Sequence, residues 1–172
     1  MTAETEQIAR FCLYCDVWSE QMAHPLDDTD RSILRNLRLH PRASIAEIAR
    51  RAGIARGTVY SRLERMERDR VITGWGPELD TRAAGYDVLA FVWLQIAQGA
   101  HDETIDALAE IDEVLEIHTI TGDADLLCKV VARSNDHLHE IVLAVTSLPP
   151  VRHSQTQLAL HTSHRRGLVD VL

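Results

Sequence analysis

The chain has 172 residues, 45% of them hydrophobic and 26% charged, which is long for one small domain, comfortable for two, and excludes a disordered chain. No apolar run approaches the ~20 residues that span a bilayer, and Glu4, Glu6 and Asp16 spoil the first 25 residues as a secretory signal, so the expected location is cytoplasmic. The net charge of -8 argues against nucleic acid only until it is divided: residues 1–25 hold one arginine against four acids, residues 26–75 eleven arginines against seven acids, and residues 76–172 six basic residues against fifteen acids.

In chain order, Ile8, Phe11, Cys12, Cys15, Trp18 and Met22 recur at helical spacing. Pro25 breaks that segment, and Asp27 or Asp28 can cap the next helix. Ile33, Leu34 and Leu37 form its apolar stripe, and Pro41 stops it. Ser44 is a good N-cap, and Glu47 three residues on predicts a capping box. Ile45, Ile48, Ala49 and Ala52 continue a second helix, which Gly53 ends because a sharp turn favours positive φ. A third helix is expected from about Arg56 to Asp69, with Val59, Leu63 and Met66 inside.

Gly74, Gly76 and Pro77 mark a hinge over residues 76–87. Strands are predicted at 89–96, 114–120, 126–131 and 151–161, with helices at 102–110 and from Asn135 or Asp136 to before Pro149. Residues 121–125, Thr-Gly-Asp-Ala-Asp, are turn chemistry between the second and third strands. The order βαββαβ predicts a ferredoxin-like domain with two helices on one face of an antiparallel sheet. The expected organisation is therefore an α+β protein: an N-terminal extension (1–25), a helix-turn-helix domain (26–75), a hinge, and a ligand-sensing and oligomerisation domain (88–172).

The chemistry lies in residues 45–64, two helices joined by a short glycine turn in which Ile54 plugs the angle. With Val59, Leu63 and Met66 inward, the third helix shows Arg56, Thr58, Tyr60, Ser61, Arg62 and Arg65 on its other face. Arginine can pair bidentately with guanine, and Ser and Thr can bond bases or phosphates. Because a recognition helix reads bases with its N-terminal residues, Arg56, Thr58, Tyr60 and Ser61 are assigned to base or groove contact, Arg62 to either base or phosphate, and Arg65 to phosphate. Ser44 joins them as a DNA-binding candidate at the start of the second helix. The bland alternative, an amphipathic helix with arginines on its wet face, explains the third helix alone but not the whole unit of caps, turn and charge.

From Leu26 to about His161 the sequence resembles the Lrp/AsnC, or feast/famine, transcription regulators. The resemblance rests on Leu26-Asp27-Asp28-Thr29-Asp30, Ile33-Leu34, Arg42-Ala43-Ser44, Gly53-Ile54, Arg62-Leu63-Glu64-Arg65-Met66-Glu67, Val71-Ile72-Thr73-Gly74 and Thr121-Gly122-Asp123-Ala124-Asp125. It implies a winged-helix-like reader of double-stranded DNA, homodimers that assemble further into octamers, and an amino-acid effector held between subunits near Thr121. In that analogy Gly122 offers backbone donors to a carboxylate, and Asp123 or Asp125 holds an ammonium. Two positions depart from the pattern: Ala55 stands where the family has a capping Ser, and Arg70 where it has Gly. The third helix is therefore expected to end differently. Met22 to Asp28 looks like a complete family N-terminus, so residues 1–21 read either as an upstream extension or as an extra helix.

Rival readings are a metal-responsive regulator and a small-molecule-binding enzyme or interaction protein of ferredoxin-like fold. Cys12-Leu13-Tyr14-Cys15 lacks two further clear zinc ligands, since Cys128, His24 and His40 are scattered. His137 and His139 fall on different faces of a helix, and His153, His161 and His164 straddle a strand and tail. No phosphate loop and no nucleophile with a base appear in the sequence, so neither metal nor cofactor nor catalysis is expected.

Overall fold

The computed structural model describes residues 25–172, which divide into two compact units. The first runs to Gly76 and also takes in Arg166–Leu172; the second is Pro77–Arg165. The expected sensing domain of 88–172 thus gives up its last seven residues to the first unit.

The first unit holds α1 (Asp28–Leu39), α2 (Ile45–Ala52) and α3 (Arg56–Arg68). Asp27, not Asp28, caps α1: its carboxylate accepts the Asp30 N–H at 2.9 Å, and the Asp30 carboxylate accepts the Asp27 N–H at 3.1 Å. Ile33, Leu34, Ile48, Ala49, Val59, Leu63 and Met66 make one buried core, with Ile54 and Val71 packed at its margin. Three short helices find no stability alone and hold together through this shared face.

Only half of the capping box expected at Ser44 forms. Its Oγ accepts the Glu47 N–H at 3.3 Å. The Glu47 carboxylate turns instead to the Arg51 guanidinium, with Nε at 3.0 Å and Nη2 at 2.7 Å, because two charge-assisted bonds outcompete one backbone N–H.

Helices α2 and α3 end in the same way. After α2, Gly53 has φ 67°, and the Ile54 N–H reaches back to the Ala49 carbonyl at 3.0 Å. After α3, Arg70 has φ 54°, its N–H bonds the Glu67 carbonyl at 3.0 Å, and the Val71 N–H bonds the Met66 carbonyl at 2.8 Å. Both are Schellman motifs. The third helix therefore does not end differently for want of glycine: Arg70 accepts the left-handed conformation, since Val71 must turn inward to the core. Ala55 supplies no side-chain cap to α3, as its side chain requires.

A 3-10 turn at Leu168–Val171 packs against α1. Val169 and Leu172 join the margin of the core, Asp170 pairs with Arg38 at 3.3 Å, and Arg35 donates to the Leu172 carbonyl. Four residues are too few to show periodicity, so nothing local in the sequence separates this tail from the domain before it.

The second unit holds β1 (Val88–Ile96), α4 (His101–Ala109), β2 (Val114–Thr119), β3 (Leu126–Ala132), α5 (Asn135–Thr146) and β4 (Val151–Leu158). The strands form an antiparallel sheet of order β2-β3-β1-β4. Alternate residues Ala90, Val92 and Leu94 of β1 and Leu126, Cys128 and Val130 of β3 bury one face beneath Leu108 of α4 and Leu138, Ile141 and Val145 of α5. Phe91 and Trp93 lie on the other face, at register with Lys129 and Leu127. The expected hinge is not plain linker: residues 77–87 belong to this unit, and the Arg133 guanidinium lies 5.7 Å from the Tyr86 ring.

Candidate nucleic-acid interface and effector site

Gly53 and Ile54 bring α2 and α3 together as the predicted helix-turn-helix. Val59, Leu63 and Met66 are buried, which turns Arg56, Thr58, Tyr60 and Ser61 outward as exposed residues. Tyr60 is 59% exposed although it is aromatic, so packing within this unit does not explain its place. The Ser61 hydroxyl donates to the Thr58 carbonyl at 3.1 Å. Ser44 is exposed, and its oxygen already accepts the Glu47 N–H, so its O–H remains free to donate. Arg42, two residues earlier, is exposed and makes no ion pair among the described residues, and neither does Arg56. A cation beside a helix N-terminus was the signal that could have added Arg42 to the candidates.

Arg62 and Arg65 carry ion pairs that local sequence patterns do not announce. Asp30 is fully buried, and both arginines converge on it: Arg62 Nη1 on Oδ1 at 3.1 Å and Arg65 Nη2 on Oδ2 at 2.5 Å. Arg62 Nη1 also donates to Asp27. Their side chains are 28% and 22% exposed. A buried carboxylate without cations is costly, so α3 supplies two of its four arginines to the α1 N-terminus. The Asp30 backbone N–H, and then Arg62, hold the Asp27 carboxyl at about 2. The Asp27 carboxylate, and then that of Asp30, push the Arg62 guanidinium pKa up. Of the seven DNA-binding candidates, Arg62 and Arg65 are thus the two whose guanidiniums pair with carboxylates inside the reader.

In the second unit a concavity of about 460 Å³ opens beside the 121–125 turn. Thr121 and Asp123 line it, together with Trp93 of β1 and His153, Gln155 and Gln157 of β4. The pairing of β1 with β4 sets Trp93 opposite Gln155 and Gln95 opposite His153, a juxtaposition that local patterns do not reveal. Gln95 Nε2 donates to the Asp123 carbonyl at 2.5 Å and fixes the turn. Gly122 has φ 117°, a left-handed conformation that glycine takes without strain, and is not among the lining residues. The Asp125 carboxylate accepts the Ile96 N–H at 2.8 Å, and its own N–H bonds the Leu94 carbonyl at 2.9 Å. It ties the turn to β1, and the acid that lines the concavity itself is Asp123.

Among the described residues, no three His, Cys, Asp or Glu side chains converge to hold a metal. Cys12, Cys15 and His24 lie outside the described residues. Burial pushes the Cys128 thiol up to about 11, which leaves it without thiolate near neutrality. No helix among the described residues is long and apolar enough to cross a membrane.

Comparison with known proteins places this geometry. Residues 26–73 match a winged helix-turn-helix DNA-binding domain, and residues 89–169 match the Lrp/AsnC ligand binding domain. The regulatory protein AsnC of Escherichia coli K12 is 31% identical over 146 residues, covering 83% of this chain and 95% of that one. The structure of E. coli AsnC superposes with a TM-score of 0.79 at 26% identity, covering 85% of this chain and 99% of that one. A feast or famine regulatory protein from M. tuberculosis, solved in complex with L-methionine, superposes with a TM-score of 0.73 at 28% identity, covering 81% and 95%. An α+β chain with a helix-turn-helix reader and this four-stranded domain, related over most of its length to AsnC, belongs to the Lrp/AsnC family of DNA-binding transcription regulators.

Proposed function

We propose that this regulator reads double-stranded DNA with Arg56, Thr58, Tyr60 and Ser61, assisted by Ser44 and Arg42, and that an amino acid bound beside Thr121 and Asp123 changes its assembly or DNA affinity. It acts as a regulator rather than an enzyme, works in the cytoplasm, and assembles as a homodimer and then higher, as an octamer. The observation that carries the DNA contact is the outer face of α3, where polar side chains suited to a groove stand exposed over a buried inner face. Two readers on a dimer would address half-sites about one helical turn, or a multiple, apart.

The effector reading is supported by the concavity and by the methionine complex of the M. tuberculosis relative. Asp123 would hold the ammonium, while His153, Gln155 and Gln157 offer hydrogen bonds to the carboxylate. Binding acts on DNA only to the extent that it prefers one assembly over another.

A gel shift on the DNA upstream of the chain's own coding region tests the first part. Arg56→Ala should weaken specific binding by ~1–3 kcal/mol if it makes a bidentate base contact. Unchanged binding in Arg56→Ala and Tyr60→Ala together would defeat the assignment. Isothermal titration with L-methionine and other amino acids tests the second part, with Asp123→Asn expected to abolish the heat.

A further inference from the structure

We propose that Asp27 is a specificity-determining residue: with Asp30 it forms a carboxylate clamp that withholds Arg62 of the recognition helix from DNA phosphates, so that the reader relies on the base-facing residues of the helix's first two turns. The inference rests on the DNA-reading role argued above and names how that reading is kept selective.

The geometry carries it. Arg62 and Arg65 sit on α3 three residues apart, so both lean toward the N-terminus of α1. There they meet two carboxylates, and the four charges cancel in pairs. Asp30 is fully buried and committed to both guanidiniums and to the Asp27 N–H. Asp27 is different. It is about half exposed, and its two oxygens divide between capping α1 and holding Arg62. Its capping role needs only an acceptor, and an Asn would serve as well. A full negative charge at this position is needed for the second contact. Asp27 stays ionised throughout the physiological range, so the clamp is permanent there.

The consequence concerns two kinds of affinity. Non-specific binding is almost wholly a matter of neutralised phosphates, whereas base contacts carry sequence information. A free arginine at position 62 would add affinity for every sequence alike. Held by Asp27 and Asp30, it adds to none. With Asp27 neutral, one carboxylate would face two guanidiniums, and Arg62, the more exposed of the two, carries the surplus charge.

The test measures binding of the full chain to a random-sequence duplex as salt rises from about 50 to about 200 mM. Asp27→Asn should steepen the salt dependence by about 0.9 per reader unit, which is a ~3–4-fold greater loss of affinity across that range. Asp28→Asn removes the same charge one residue away from a carboxylate that pairs with Arg31, and should not reproduce the change. Arg62→Ala alone should leave the slope as in the natural chain, and Asp27→Asn with Arg62→Ala should cancel the gain. A purely structural role for Asp27 would lower binding without altering the slope. Equal effects of Asp27→Asn and Asp28→Asn, a gain that survives loss of Arg62, or a shallower slope in Arg62→Ala alone would each overturn the clamp. If the natural chain bound no duplex at any salt, the DNA-reading role itself would fall, and that outcome is distinct from the others.

Discussion

Arg70→Gly should stabilise the reader, and Gly53→Ala should destabilise it by a similar amount. The two residues hold equivalent places in two Schellman motifs, at φ 54° and φ 67°. A side chain in the left-handed region costs roughly 1–2 kcal/mol through its Cβ. Glycine returns about 0.4–1 kcal/mol of that through the greater freedom it gives the unfolded chain. The net expectation is a gain of ~0.5–1 kcal/mol for Arg70→Gly and a loss of the same size for Gly53→Ala. Neither estimate needs a correction for contacts. Arg70 is exposed with no ion pair among the described residues, and a Cβ on Gly53 would meet nothing within 4 Å. Urea unfolding of the full chain, followed by far-UV circular dichroism, measures both, and an unchanged m-value shows that stability changed and not the surface exposed on unfolding. A fall in stability for Arg70→Gly would refute the reasoning, because it would mean that the arginine side chain makes up for more than its backbone strain.

Two further predictions concern the same unit. Ala55→Ser should add ~1 kcal/mol to its stability, within a range of about 0.5–2, because Ala55 already has the extended cap geometry, φ -62° and ψ 140°, and lacks only the oxygen; the effects of Ala55→Ser and Arg70→Gly should add, being one helix length apart. Acid should destabilise the reader between about pH 4 and about pH 2: Asp27 is held at about 2, and Glu47 and Asp170 are also lowered, by Arg51 and by the Gly167 N–H respectively. Carboxyls depressed in the folded state stabilise it above their unfolded value of ~4 and lose that contribution as pH falls through the folded one. An acid titration by circular dichroism should therefore show a shallower loss for Asp27→Asn, and identical curves would contradict the pairing.

Much of the architecture was legible because it is local and periodic. The stripe Val59, Leu63, Met66 and the alternation of Ala90, Val92 and Leu94 declare which face of each element goes inward. Gly53 and the run 121–125 declare their turns. What escaped depends on which carboxylates and backbone groups come near in space. The family resemblance offered Asp125 as an ammonium ligand, but nothing local announced that its carboxylate also accepts the Ile96 N–H at a break in strand register. Glu47 stood at the right spacing for a capping box, and Arg51 one turn later took it. The tail at Leu168–Val171 is separated by some 130 residues from its partners on α1, and no local pattern reaches that far.

Charge shows the same limit most sharply. The surplus of cations in residues 26–75 pointed rightly to nucleic acid, yet a count cannot say which cations are available. Arg31, Arg50, Arg51, Arg62, Arg65 and Arg68 all have carboxylate partners within the reader, and Arg38 has Asp170 from the tail. Arg42 and Arg56, by contrast, flank the helix-turn-helix without one among the described residues. Of the six residues read on the outer face of α3, the exposed ones lie in its first half, Arg56 to Ser61, while Arg62 and Arg65 are partly buried in ion pairs. That first half is the one a recognition helix points at base edges, so under the clamp proposed above the internal pairing would remove sequence-blind charge and leave the part that can discriminate.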